Sequence, residues 1–173
     1  MQKDEKPGYS PNAIHLVRTS IQTHVHLSAM ADHKASILMG ATFVIFTITI
    51  GRAHGESVPL PLLILGASAF FSAVCAVLAI IPATHYSRGG GLNLLFFGSF
   101  TQLDEADFIQ RLDARLRGDD TIYETMMRDF YQNGVILARK KYRMLGYAYR
   151  IFLAGLVASF LAFITLYAIR GPY

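Results

Sequence analysis

Residues 34–52 read KASILMGATFVIFTITIGR, seventeen uncharged residues closed at each end by a long cationic side chain, Lys34 and Arg52. About 17 to 25 helical residues cross the hydrocarbon core of a bilayer. Lysine and arginine at the ends of such a helix can extend to the two interfaces. The stretch therefore reads as a transmembrane helix over about 35–51. Two further stretches, 59–82 and 151–169, are equally free of charge and read the same way. The first span is not expected to be a cleaved leader, because some thirty residues precede it and no small-x-small cleavage pattern follows.

Composition agrees with membrane residence. The 173 residues are 53% hydrophobic with a mean hydropathy of +0.35, too apolar for an average soluble domain and too few for more than one or two domains. The net charge of +4 suits a membrane surface or an anionic ligand and does not imply nucleic-acid binding. A single cysteine, Cys75, excludes an internal disulfide and any cysteine-rich metal module, and its apolar neighbours make it an inert core residue.

Lysine and arginine are unevenly divided by these spans. Residues 1–34 and 84–150 together carry fourteen of them, whereas only Arg52 and Arg170 lie in the remaining segments. The positive-inside rule then places the N-terminus and the 84–150 insert in the cytoplasm and the Arg-Gly-Pro-Tyr tail outside. Each span supplies small residues for close helix approach, namely Ser36 with Gly40, Ser68 with Ser72, and Ala154, Ala158 and Ala162. No Asp, Glu, Lys or Arg lies within a span, so one subunit offers no charged conduction route and a homo-oligomer is expected.

Proline falls at 7, 11, 59, 61, 82 and 172, which leaves 12–58 and 83–171 open to long helices. Ser10-Pro11 reads as a helix start, and Ile14, Val17, Ile21, Val25 and Ser28 recur at helical spacing toward the first span. A helix from Pro11 to Gly51 would be about 60 Å long, twice the hydrocarbon thickness. The last helix repeats the design. Thr121 and Glu124 read as a capping box ahead of a face of Tyr123, Met126, Met127, Phe130, Leu137, Met144 and Leu145. Between them lie a loop with Gly89-Gly90-Gly91, an apolar run from Leu94 to Phe100 that is either a membrane-surface wedge or a plug of the stalk bundle with its backbone tied by Asn93 and Ser99, and a short amphipathic helix capped by Thr101 and Asp104. Gly118 with Asp119 and Asp120 turns the chain toward the last helix.

The fold class expected is thus all-α, an integral membrane protein with three transmembrane helices, two of them extended into a cytoplasmic helical stalk or head. Residues 1–10 form a flexible N-terminus and 11–173 a single helical membrane domain.

At 100° per residue, Asp32 falls on the apolar stripe of the first helix and needs a partner; Lys141, with Asn133, falls on the stripe of the last. The pair is either a buried ion pair that fixes helix register or part of a polar ligand pocket at the cytoplasmic mouth of the bundle. In the second reading, Asp32, Lys34, Asn93, Arg128, Tyr131, Asn133, Arg139, Lys141 and Tyr142 supply anion contacts, amide hydrogen bonds and an aromatic face, the parts a nucleotide needs. His15, His26 and His33 share a face but stand about 10 to 16 Å apart, too far for one metal. No catalytic constellation, metal site or cofactor motif is found, so no enzymatic activity is expected.

Three blocks carry a family resemblance: Ala31-Asp32-His33-Lys34-Ala35-Ser36-Ile37-Leu38, then Asn93-Leu94-Leu95-Phe96-Phe97-Gly98-Ser99-Phe100, and Tyr123 through Arg128-Asp129-Phe130-Tyr131-Gln132-Asn133-Gly134 to Ala138-Arg139-Lys140-Lys141-Tyr142. Together, over about residues 12–168, they resemble the Pycsar effector transmembrane domain, a bacterial family. The resemblance implies an antiphage effector of the bacterial inner membrane. Its partner is a nucleotide cyclase making cyclic CMP or cyclic UMP, and its ligand is that cyclic pyrimidine nucleotide, to which it responds by impairing the membrane. Related domains also occur beside phosphohydrolase-like modules, so a membrane anchor or signalling subunit for a soluble partner is the alternative.

Overall fold

A computed structural model describes residues 8–53, 58–82 and 92–170. Residues 1–7 of the N-terminus expected to be flexible over 1–10, the triple-glycine loop and the tail over 171–173 lie outside the described residues. The described chain is helical and holds no strand: α1 (Ala13–Ala53), α2 (Leu60–Ile80), α3 (Phe97–Phe100), α4 (Glu105–Leu116), α5 (Asp119–Ile136), a π-helical segment (Leu137–Tyr142) and α6 (Arg143–Arg170). Three stretches are long and apolar enough to cross a membrane: α1, α2, and the unbroken run from Asp119 to Ile169. Ser10 begins the first as its sequence suggests, its Oγ accepting the Asn12 N–H at 3.3 Å. The other two expected caps do not form. Thr121 lies inside α5 and its hydroxyl donates to the Arg115 and Gly118 carbonyls. Thr101 likewise donates back to Phe97, and Asp104 holds the N-cap position of α4 without a side-chain bond.

The chain divides into two compact bodies, one of residues 28–82 and 137–173, the other of 1–27 and 83–136. The first, the apolar body, is built inside out relative to a soluble protein. Its core is Ala31, Ala35 and Leu38 of α1, Ala76 and Ala79 of α2, and Leu145 and Ala148 of α6, while Phe43, Phe70, Phe71, Phe160 and Leu161 are exposed. Small interior residues let helix backbones approach without a hydrophobic drive. At the closest approach, a Cβ on Gly155 would overlap the Ser68 side chain, so only glycine fits there. Two serine hydroxyls donate between helices: Ser72 to the Ala148 carbonyl at 2.8 Å and Ser159 to that of Pro61 at 2.7 Å. Such bonds average about 0.6 kcal/mol in membrane proteins. Ser68 and Ser72 thus pack as expected, while Ser36, Gly40, Ala154 and Ala158 are exposed. Cys75 packs against the alanine core.

The second, the polar body, buries charge and amide. Asp129 and Gln132 are the buried residues of α5, whereas Met127 is 44% exposed. The apolar face expected on this helix is corrected in part: Met126 and Phe130 are half-buried, but the fully buried positions are polar, with the Asp129 carboxylate satisfied by hydrogen bonds. The seam of α1 is corrected too. Val25 is 67% exposed, and the inward positions are Val17, Ile21, His24, Ser28, Ala31, Ala35, Leu38 and Thr42, spaced alternately four and three. That is the 3.5-residue repeat of coiled-coil seams, which a fixed 100° projection drifts away from.

Candidate functional site

The nine residues picked from sequence separate by body. Asp32, Lys34, Arg139, Lys141 and Tyr142 belong to the apolar body, and Asn93, Arg128, Tyr131 and Asn133 to the polar one.

In the apolar body Lys141 meets Asp32, as the stripe arithmetic suggested. Its Nζ donates to Oδ1 at 2.8 Å and Oδ2 at 2.7 Å and to Ser28 Oγ at 2.8 Å, satisfying all three ammonium donors. The expectation of a buried pair needs correction, because the Asp32 side chain is 40% exposed against 18% for Lys141. Water screens a pair so placed, and breaking it strands less charge than in a dry core. Ser36, one turn on, donates to the Asp32 carbonyl.

Lys141 sits in the π-helical segment, which contains Arg139, Lys140, Lys141 and Tyr142. A π-helix bonds i to i+5 and absorbs an extra residue. Leu137 and Leu145, eight residues apart and both buried, would diverge by about 80° on an α-helix; with one residue absorbed they realign to about 20°. The wide turn thus keeps two leucines on one side of a helix while presenting a cation between them. Lys140 Nζ donates to the Pro82 carbonyl at 3.2 Å, beyond the end of α2, and Tyr142 packs against the alanine core. Lys34 and Arg139 are exposed, and the Lys34 carbonyl accepts the Tyr149 hydroxyl at 3.2 Å.

In the polar body the hub is Asp129, 6% exposed and not among the residues picked from sequence. Its Oδ1 accepts Nδ2 of Asn93 at 3.0 Å and Nδ2 of Asn133 at 2.8 Å. Asn93 turns its Oδ1 to the Leu95 N–H at 2.9 Å, and its own N–H donates to Ser99 Oγ at 3.0 Å. Asn93 and Ser99 thus tie the Leu94–Phe100 run as expected, with Leu94 and Phe96 buried and Phe97 exposed. His24 stacks on Phe130, centroids 4.4 Å apart, against Gly134, where a Cβ would come within 2.9 Å of the imidazole. The Asp129/Asn133 spacing of four was the readable signal for this hub. Tyr131 is 67% exposed.

Between α4 and α5 opens a cavity of about 290 Å³. Arg111 and Arg115 line it from α4, Arg128, Glu124 and Thr125 from α5, and Leu92, Asn93 and Leu94 from the preceding segment. Glu124 bridges two of the arginines: Oε2 accepts Arg115 Nη1 at 2.9 Å and Oε1 accepts Arg128 Nη2 at 3.2 Å. Arg111 donates Nε to Asp107 at 2.8 Å. That hydrogen bond first, and the carboxylate charge second, hold its guanidinium above the ordinary arginine range; Asp113 does the same for Arg117. Both stay cationic throughout the neutral range. Of the cavity's charged residues, the sequence pointed to Arg128 alone as a ligand contact, because Glu124 reads locally as half of a capping box and Arg111 and Arg115 carry no local motif.

These features define a class: an all-helical protein with three membrane-length apolar helices and a polar helical body holding an arginine-lined cavity. More particularly, the chain belongs to the Pycsar effector protein domain family (PycTM), whose family model matches residues 15–168. It is therefore a Pycsar antiphage effector transmembrane domain, of a family not known as catalytic and one that implies a cyclic-nucleotide signal from a cyclase partner. Comparison with curated proteins and with solved structures finds no match.

Proposed function

We propose that this protein is an antiphage effector of the bacterial inner membrane, activated by cyclic CMP or cyclic UMP to impair membrane integrity. The observation that carries this reading is the family match, which takes in all three apolar helices and the polar body. The inside-out apolar body supports membrane insertion, since its large apolar side chains face outward and the three runs have spanning length. The fourteen-to-two division of lysine and arginine supports a cytoplasmic N-terminus and an external C-terminus. The exposed small residues Ser36, Gly40, Ala154 and Ala158 support a homo-oligomer.

Co-expression with a cyclase making cyclic CMP or cyclic UMP, read as membrane depolarisation and growth arrest, tests the activity. Arrest is expected only with effector and nucleotide together; unchanged growth would refute it. Reporter fusions at Tyr173 and near Gly118 should score on opposite sides of the membrane.

A further inference from the structure

The α4–α5 cavity contains a carboxylate held between two guanidiniums, each Glu124 oxygen taken by a different arginine. A phosphodiester presents the same pattern, one negative charge shared by two terminal oxygens, and guanidinium binds phosphate at least as well as carboxylate. Exchanging Glu124 for such a ligand leaves the local charge balance unchanged. The side chains involved are 39–51% exposed, so the internal pair is screened, weak and displaceable. A third cation, Arg111, borders the same space. At about 290 Å³ the cavity lies at the small end of the range for ligand clefts, a size for a mononucleotide and not for a larger linked one. Leu92 and Leu94 offer an apolar wall for the flat face of a base, and Thr125 a hydroxyl.

We propose that this cavity is the recognition site for the phosphodiester of a small cyclic nucleotide, gripped by Arg115 and Arg128, with Glu124 as a built-in competitor that the ligand displaces. This rests on the nucleotide-activated reading above and assigns that reading a place. Arg115 and Glu124 also join α4 to α5, so displacement replaces a direct helix–helix tie with one through the ligand. Arg128 immediately precedes Asp129, the hub holding Asn93 and Asn133, so occupancy acts on the segment entering Leu94–Phe100.

The test uses the full chain purified in detergent, titrated separately with cyclic CMP, cyclic UMP, inorganic phosphate and short-chain phosphatidylglycerol. Arg115→Gln and Arg128→Gln should each weaken nucleotide binding by about tenfold or more. Glu124→Gln should tighten it by about three- to tenfold. Arg117→Gln, whose partner Asp113 lies outside the cavity, should bind as the parent does. Helical content and thermal midpoint check that each variant is folded. Cells carrying the same variants with the cyclase separate the two levels. If nucleotide binds and arrest persists equally in both arginine variants, the site is overturned and the effector reading stands. Binding of phosphatidylglycerol or phosphate alone overturns the nucleotide assignment in favour of a headgroup or simple anion site, and a parent protein that binds no nucleotide and causes no arrest overturns both.

Discussion

The two bodies solve opposite packing problems with the same helices. The apolar body builds its interior largely from alanine, glycine and serine and exposes most of its phenylalanines, and its buried hydroxyls bond to carbonyls, Thr42 within its own helix and Ser72 across to the next. The polar body buries Asp129, Gln132 and Asn93 and satisfies the carboxylate with two amides. The difference teaches where specificity resides. In the apolar body it is steric, because its helices meet through small residues and only close backbone approach distinguishes neighbours, as is usual for helices of membrane-spanning length. In the polar body it is hydrogen-bonded, because a buried carboxylate tolerates few arrangements.

The largest effect should come from attacking the steric side. Gly155→Leu drives a side chain into Ser68 and should cost about 3 kcal/mol or more in detergent unfolding, with part recovered by adding Ser68→Gly. Next, Asp129→Ala strips the Asn93 and Asn133 amides of their acceptor and should cost about 2–3 kcal/mol, measured the same way. If it instead proves neutral, the polar body is not held by its hub and the contrast fails. Asp32→Asn should cost about 1–2 kcal/mol, discounted for the exposure of Asp32, and a double-mutant cycle with Lys141→Met should show coupling of similar size. Additive single effects would show that the pair contributes nothing. Ser72→Ala removes one interhelical bond and should cost about 0.6 kcal/mol; a loss larger than that of Asp129→Ala would invert the comparison. Smallest of all, Arg117→Gln breaks an exposed helix-surface pair and should leave the unfolding midpoint unchanged.

Much of this was readable in advance. The three apolar helices, the partnership of Asp32 with Lys141, and the tie of the Leu94–Phe100 run by Asn93 and Ser99 all follow from local composition or helical projection. The failures share a cause. Val25 in place of His24, Met127 in place of Asp129, and the two absent caps each arise where a uniform 100° period or a local cap motif was applied to a helix whose register or start is set by its neighbours.

By itself the sequence determined the class, since the transfer of an uncharged 17-residue run into hydrocarbon depends on that run alone. Tertiary structure decided the rest: a π-turn that realigns Leu137 with Leu145 around Lys141, a buried carboxylate shared by asparagines 40 residues apart in sequence, and a cavity whose arginines come from two helices. Such features need residues distant along the chain to meet, and their cost or benefit exists only once they do, so no local period could encode them.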